Sequence, residues 1–119
     1  MAGIIKTKIS LGVSGAEPFE VEFAASATKW SGARHMTLPD AVTDQSLIDI
    51  GGGGVTTVNA FALVADQAIS VKLGAAGSNV ALALAAGAPL CMAGLSLTSL
   101  SLSNASGLTA QVDYVVAGS

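Results

Sequence analysis

From Leu95 to Gly118 apolar and small polar side chains alternate in two runs, LSLTSLSLSN and LTAQVDYVVAG, parted at Asn104-Ala105-Ser106-Gly107. Successive side chains of a strand point to opposite faces, so alternation at this period marks a strand with one buried face. In the second run Leu108, Ala110, Val112, Tyr114 and Val116 share one side, and Thr109, Gln111 and Asp113 the other. In the first, Leu100 and Leu102 oppose Ser99, Ser101 and Ser103, whereas Leu95 and Leu97 have the other parity. A one-residue slip reconciles them, which predicts a β-bulge or bend near Thr98. The two runs predict a C-terminal hairpin that closes the sheet. No residue in them suggests catalysis.

The N-terminal end has the same period. Ile5, Thr7, Ile9, Leu11 and Val13 alternate with Lys6, Lys8 and Ser10; after Ser14-Gly15-Ala16-Glu17-Pro18, Phe19, Val21 and Phe23 alternate with Glu20 and Glu22. This predicts an antiparallel hairpin over 1–23. Pairing Ile9 with Phe19, Thr7 with Val21 and Ile5 with Phe23 brings Lys8 toward Glu20 and Lys6 toward Glu22. Such cross-strand charge pairs contribute about 0.2–1 kcal/mol each; the alternative is a simply solvated face.

Periodicity fails over 24–45, AASATKWSGARHMTLPDAVTDQ, which predicts an irregular contact segment. It holds the partner-contact candidates Lys29, Trp30, Arg34 and His35. Trp and Arg are enriched where interfaces concentrate their binding energy, although a lone Trp also serves to cap its own core.

The rest, 46–119, is expected to supply the main sheet strands of a single domain spanning 1–119. SLIDI at Ser46–Ile50 predicts a short strand running into Gly51–Gly54. Val55-Thr56-Thr57 follows where a phosphate-binding loop needs Lys-Ser/Thr, so the glycines read as a flexible loop. Thr56–Ala65 is apolar on both faces, as in a central strand, and Ile69, Val71 and Leu73 complete a second hairpin with it. Asn79–Leu97 carries no charge and has membrane-like hydropathy. Val80, Leu82 and Leu84 nevertheless alternate with Ala, and Gly87, Pro89 and Gly94 interrupt any spanning helix. Strands at Val80–Leu84 and Leu90–Met92 around a turn at Ala86–Pro89 are expected, with a helix over Val80–Ala86 as the alternative. Cys91 in this setting reads as inert packing.

Charged residues make up 11% of the 119 residues, against roughly 25% in ordinary soluble domains, while mean hydropathy is +0.65. So few charges give little protection against association, which fits a permanent assembly; a surface of Ser, Thr, Gly and Ala is the alternative. A net charge of −3 and five scattered Lys and Arg residues argue against nucleic acid. One cysteine forms no internal disulfide. Lys6 and Lys8 interrupt the apolar run that a signal peptide needs. A reducing cytoplasm suits such a chain.

Little here supports an enzyme. His35 is the sole histidine, with no nucleophile motif beside it. Glu20 and Glu22 share a strand face with lysines and do not form a glycosidase pair. Asp40, Asp44 and Asp49 are spread too widely for an EF-hand loop, although Asp40 with Asp44 leaves a surface cation site open. No catalytic residue, cofactor or metal is expected.

From Leu47 to Gly118 the order is a short strand before a glycine cluster, TTVNAFALVADQAISVKLG, an apolar strand, AAGAPL and LTSLSLSNASGLTAQVDYVVAG. This pattern resembles small all-β virion proteins of tailed bacteriophages, capsid decoration (cement) or minor structural proteins. The resemblance implies an antiparallel β-sandwich or jelly-roll-like domain on the outside of a particle. It also implies the major capsid protein and further copies of itself as partners, with no nucleic acid or membrane. The location would be the virion, after synthesis in the host cytoplasm. A carbohydrate- or receptor-binding module of a phage tail or fibre, using Trp30 and Tyr114, is the competing expectation.

Overall fold

In the computed structural model the described residues are 3–12, 14–31, 34–46, 55–75 and 78–119, and they form strands and no helix. The strands are β1 (Gly3–Leu11), β2 (Phe19–Ala27), β3 (Lys29–Trp30), β4 (Arg34–Leu38), β5 (Gln45–Ser46) and β6 (Val58–Ala65). They continue with β7 (Ile69–Ala75), β8 (Ser78–Leu84), β9 (Leu90–Leu97), β10 (Ser99–Ser103) and β11 (Ala110–Gly118). The fold is thus all-β, and every strand pairing is antiparallel. Strands β1 and β2 pair only with each other. A four-stranded sheet runs β5-β10-β7-β8. A five-stranded sheet runs β3-β11-β6-β9, with β4 also on β11.

The two larger sheets pack face to face. Val71, Leu100 and Leu102 from one sheet and Val58, Phe61, Leu63, Val112, Tyr114 and Val116 from the other form a core with Leu38 and Val55. Val71, Leu100, Leu102 and Val112 are wholly inaccessible to solvent. Each aliphatic side chain so buried contributes roughly 1.5–3 kcal/mol. The serines of β10 take the opposite parity to its leucines, as their alternation requires.

Alternation identifies the strands, but the pairing differs from expectation in several places. The chain passes between the sheets at β4–β5, β5–β6, β6–β7, β8–β9, β9–β10 and β10–β11. The expected C-terminal hairpin is therefore an arch: β10 pairs with β7 and β5, and β11 with β6, β4 and β3. The second expected hairpin, β6 with β7, fails in the same way. An arch and a hairpin share the same alternation, because each strand needs one buried face whichever sheet receives it. The parity change at Thr98 is the bend at which the chain leaves one sheet for the other. The bulge lies slightly earlier in β9, where the register to β6 shifts between Ala93 and Leu97 and Gly94 adopts φ +73°.

Strand β8 and the turn at Ala86–Gly87 are found as expected, without the alternative helix, and β9 extends well beyond Leu90–Met92. No helix of the described residues is long and apolar enough to cross a membrane. Strand β6 is central, between β11 and β9. Among the described residues of 24–45, the end of β2, then β3 and β4, take up most of the span to Leu38, 39–44 has no strand, and Gln45 begins β5, so the segment is irregular only in part. Alternation is hard to see there because β3 and β4 are short and a buried serine, Ser31, follows β3. Ser31 bonds Val116 through both its backbone N–H (2.9 Å) and its hydroxyl, which accepts from the Val116 N–H (3.1 Å). The strand expected at Ser46–Ile50 and the glycines at 51–54 lie, beyond Ser46, outside the described residues.

Candidate interaction surface

The hairpin of β1 and β2 forms an arm lying against the outside of the five-stranded sheet. Gly15, with φ +86°, supplies the left-handed residue that its turn needs. The register is Leu11↔Phe19, Ile9↔Val21, Thr7↔Phe23, Ile5↔Ala25 and Gly3↔Ala27. This is two residues from the expected pairing, so face assignments survive while charge partners change: Lys8 faces Glu22, Lys6 faces Ala24 and Glu20 faces Ser10. A two-residue shift keeps every side chain on its face, so the apolar pattern alone cannot choose between the registers.

At its base the apolar face of the arm is covered. Ala27 is buried, Gly3 sits under the Trp30 ring, and a methyl group at Gly94 of β9 would lie 3.7 Å from the Phe23 ring. Toward the tip the same face is open, with Leu11 65%, Phe19 61%, Val21 43% and Ile9 42% exposed. Beneath the base a cleft of about 560 Å³ separates β1 from Trp30, Ala62, Cys91 and Val115. Past the base a shallower cleft of about 520 Å³ extends over Val64 and Leu90, with Arg34, His35 and Asp113 among its lining residues. Both clefts share Ala62, Cys91 and Val115, so they form one trough along the outer sheet face. Cys91 is exposed there instead of being inert core packing: its strand parity turns it away from Leu90 and Met92.

The four candidates Lys29, Trp30, Arg34 and His35 lie along one edge of this sheet, on two short strands paired with β11. Trp30 is 46% exposed, so it neither seals a core nor stands free. Arg34 donates through Nε to the Ser31 carbonyl at 2.9 Å. His35 lies opposite Asp113, with Nδ1 2.8 Å from Asp113 Oδ1 and Nε2 2.8 Å from Gln111 Oε1. Thr37 also donates to that Gln111 oxygen. The Asp113 hydrogen bond, then that of Gln111, raises the His35 pKa above 6.5, because both favour a ring with two N–H donors. Tyr114 is buried in the core, which leaves Trp30 as the one exposed ring of the two considered for sugar binding.

Asp40 and Asp44 are engaged separately. Asp40 accepts from the Gly107 N–H at 2.9 Å, and Asp44 pairs with Lys72 at 3.0 Å. Asp49 lies outside the described residues. Among the described residues no three His, Cys, Asp or Glu side chains converge as metal ligands. The open arm face escaped sequence reasoning because alternation marks a face as apolar without saying whether its cover comes from the same chain. No protein-family model, curated protein or solved structure matches the chain.

Proposed function

We propose that this chain is a structural subunit of a multi-copy particle and that the arm is its main contact element. The observation carrying this reading is the tip of the arm, where Ile9, Leu11, Phe19 and Val21 hold one apolar face open to solvent. A patch of this kind marks a surface that another macromolecule covers. The low charge content favours the same reading, since a crowded protein lattice asks for few desolvated charges.

The finer reading, from the pattern over Leu47–Gly118, is a bacteriophage capsid decoration or cement protein that bridges major capsid protein subunits. Proteomics of purified particles, followed by electron cryomicroscopy, tests it. The chain is expected at many copies on the outer shell, and absence from purified particles sinks the proposal. The competing sugar- or receptor-binding reading draws on Trp30, half exposed at the edge of the larger cleft. A glycan array with reproducible hits lost in Trp30→Ala would favour that reading instead.

A further inference from the structure

The arm and the trough are complementary parts of one surface, and each is only half used within the chain. The base of the arm already lays its apolar face on the upper part of the outer sheet face, with Phe23 reaching Gly94 and Trp30 covering Gly3. The tip continues the same apolar row without a floor beneath it, while the trough continues past the arm without a cover. We propose that the tip of the arm seats on the open trough, around Val64, Leu90 and Cys91, of a second copy of this chain, and that the exchange is reciprocal. This deepens the assembly reading by naming the partner of the arm.

Charge and area both favour that occupant. In such a contact Lys6, Lys8, Glu20 and Glu22 lie on the other face of the hairpin and stay in solvent. Arg34, His35 and Asp113 keep to the polar end of the trough, where His35 and Asp113 already pair. With Arg34 Nε bonded to the Ser31 carbonyl and His35 to Asp113, no charged group without a hydrogen-bond partner faces the contact, and leaving one is a common penalty at an ill-matched interface. From the exposed fractions of Ile9, Leu11, Phe19, Val21 and Phe23, one arm offers about 500 Å² of apolar surface, the size of a functional patch. A single docked arm thus falls well short of the roughly 1,000 Å² that a stable interface needs, whereas two arms exchanged reciprocally bring about 1,000 Å² from the arms alone. The area therefore selects a closed pair over a single docked arm.

Cys91, the sole cysteine and exposed on the trough floor, supplies the test. The purified full chain should run as a dimer in light scattering and sedimentation at about 100 μM, and Leu11→Ser and Phe19→Ser should shift it to monomer with an unchanged circular dichroism spectrum. A Leu11→Cys variant, oxidised with copper phenanthroline, should give a covalent dimer whose digest contains position 11 disulfide-linked to Cys91. Glu20→Cys, on the opposite face of the arm, and Leu11→Cys with Cys91→Ser should give no such product. A monomeric purified chain, a dimer unaffected by Leu11→Ser, or linkage of position 11 to Cys91 only within one chain would each overturn the exchange. Because these measurements use no particle, they fail separately from the particle reading: Leu11→Ser variants that lose particle binding while the parent is monomeric would make the particle, and not a second copy, the cover of the arm.

Discussion

The Asn104 side-chain amide donates to the Leu38 carbonyl at 3.0 Å, joining the arch between β10 and β11 to the end of β4. The same nitrogen lies 2.8 Å from the Leu108 carbonyl and 3.3 Å from that of Pro39, and the side-chain oxygen accepts from the Ser106 N–H and hydroxyl. Asn104 is 1% exposed, so its own amide has no recourse to water, and the bond to the Leu38 carbonyl is buried with it. Removing one partner of a buried hydrogen bond leaves the other to bear its desolvation, about 1–3 kcal/mol. Asn104→Leu is expected to destabilise the chain by about 2–4 kcal/mol, because the buried Leu38 carbonyl loses its donor and the arch loses the bonds that hold Ser106. Asn104→Asp should cost at least as much, since a carboxylate of the same shape faces carbonyl oxygens. Urea denaturation checks both, and a loss below about 1 kcal/mol in each would show the network to be dispensable.

Leucines of identical pattern should behave oppositely in the core and on the arm. Leu102 is fully buried and Leu11 is 65% exposed. Leu102→Ala leaves a cavity and is expected to cost about 2–5 kcal/mol. Leu11→Ala should change the stability of the isolated monomer by less than about 0.5 kcal/mol. Thermal and urea unfolding of both variants, under monomeric conditions, makes the comparison.

His35 should titrate above 6.5. Its hydrogen bonds to Asp113 and Gln111 favour the imidazolium, so the raised folded-state pKa means that its stabilising contribution is complete below the unfolded value and fades as pH rises through the folded one. NMR titration of the ring protons should give a midpoint above 6.5 that falls in Asp113→Asn. An unchanged midpoint in that variant would remove Asp113 as the main cause. With both side chains in solvent, about 150 mM salt should weaken the pair.

Gly118 of β11 is packed without room for a side chain. A Cβ there would collide with the Thr57 carbonyl, at the point where the register between β11 and β6 shifts. Backbone cannot yield as a side chain does, so Gly118→Ala is expected to cost about 1–3 kcal/mol. Hydrogen exchange should locate the loss in the adjoining contacts, where Thr28 and Ser119 bond to Gly118 and Thr57.

The core was legible in the sequence because burial and strand period are local signals. Leu100, Leu102, Val112, Tyr114 and Val116 sit inside as their alternation requires. Pairing was less legible, since Leu102 next to Val71 and Val116 next to Phe61 are choices made by distant segments. The candidates Lys29, Trp30, Arg34 and His35 were visible as unusual side chains, but not their shared edge, because that edge exists only once β11 lies beside both short strands. Nor did the sequence reveal the His35 pairing, whose partners lie in Gln111 and Asp113. The openness of Leu11 and Phe19 was hidden for a different reason: an apolar row made for a partner and one made for the chain's own core are written alike.

Strand β11 is flanked by β3 and β4 on one side and by β6 on the other, and all three precede it in the chain. As synthesis proceeds, these strands leave the ribosome before the segment that holds them together exists. Val58, Phe61 and Leu63 then have no sheet partner across β11, and the edge strands β3 and β4 have nothing to pair with. The five-stranded sheet is therefore completed late, by contacts that close long stretches of chain, which slows folding and leaves apolar strand edges open meanwhile. A nascent chain arrested before Ala110 should stay protease-sensitive and bound to chaperones, and release of the segment through Gly118 should convert it to the folded state in one cooperative step.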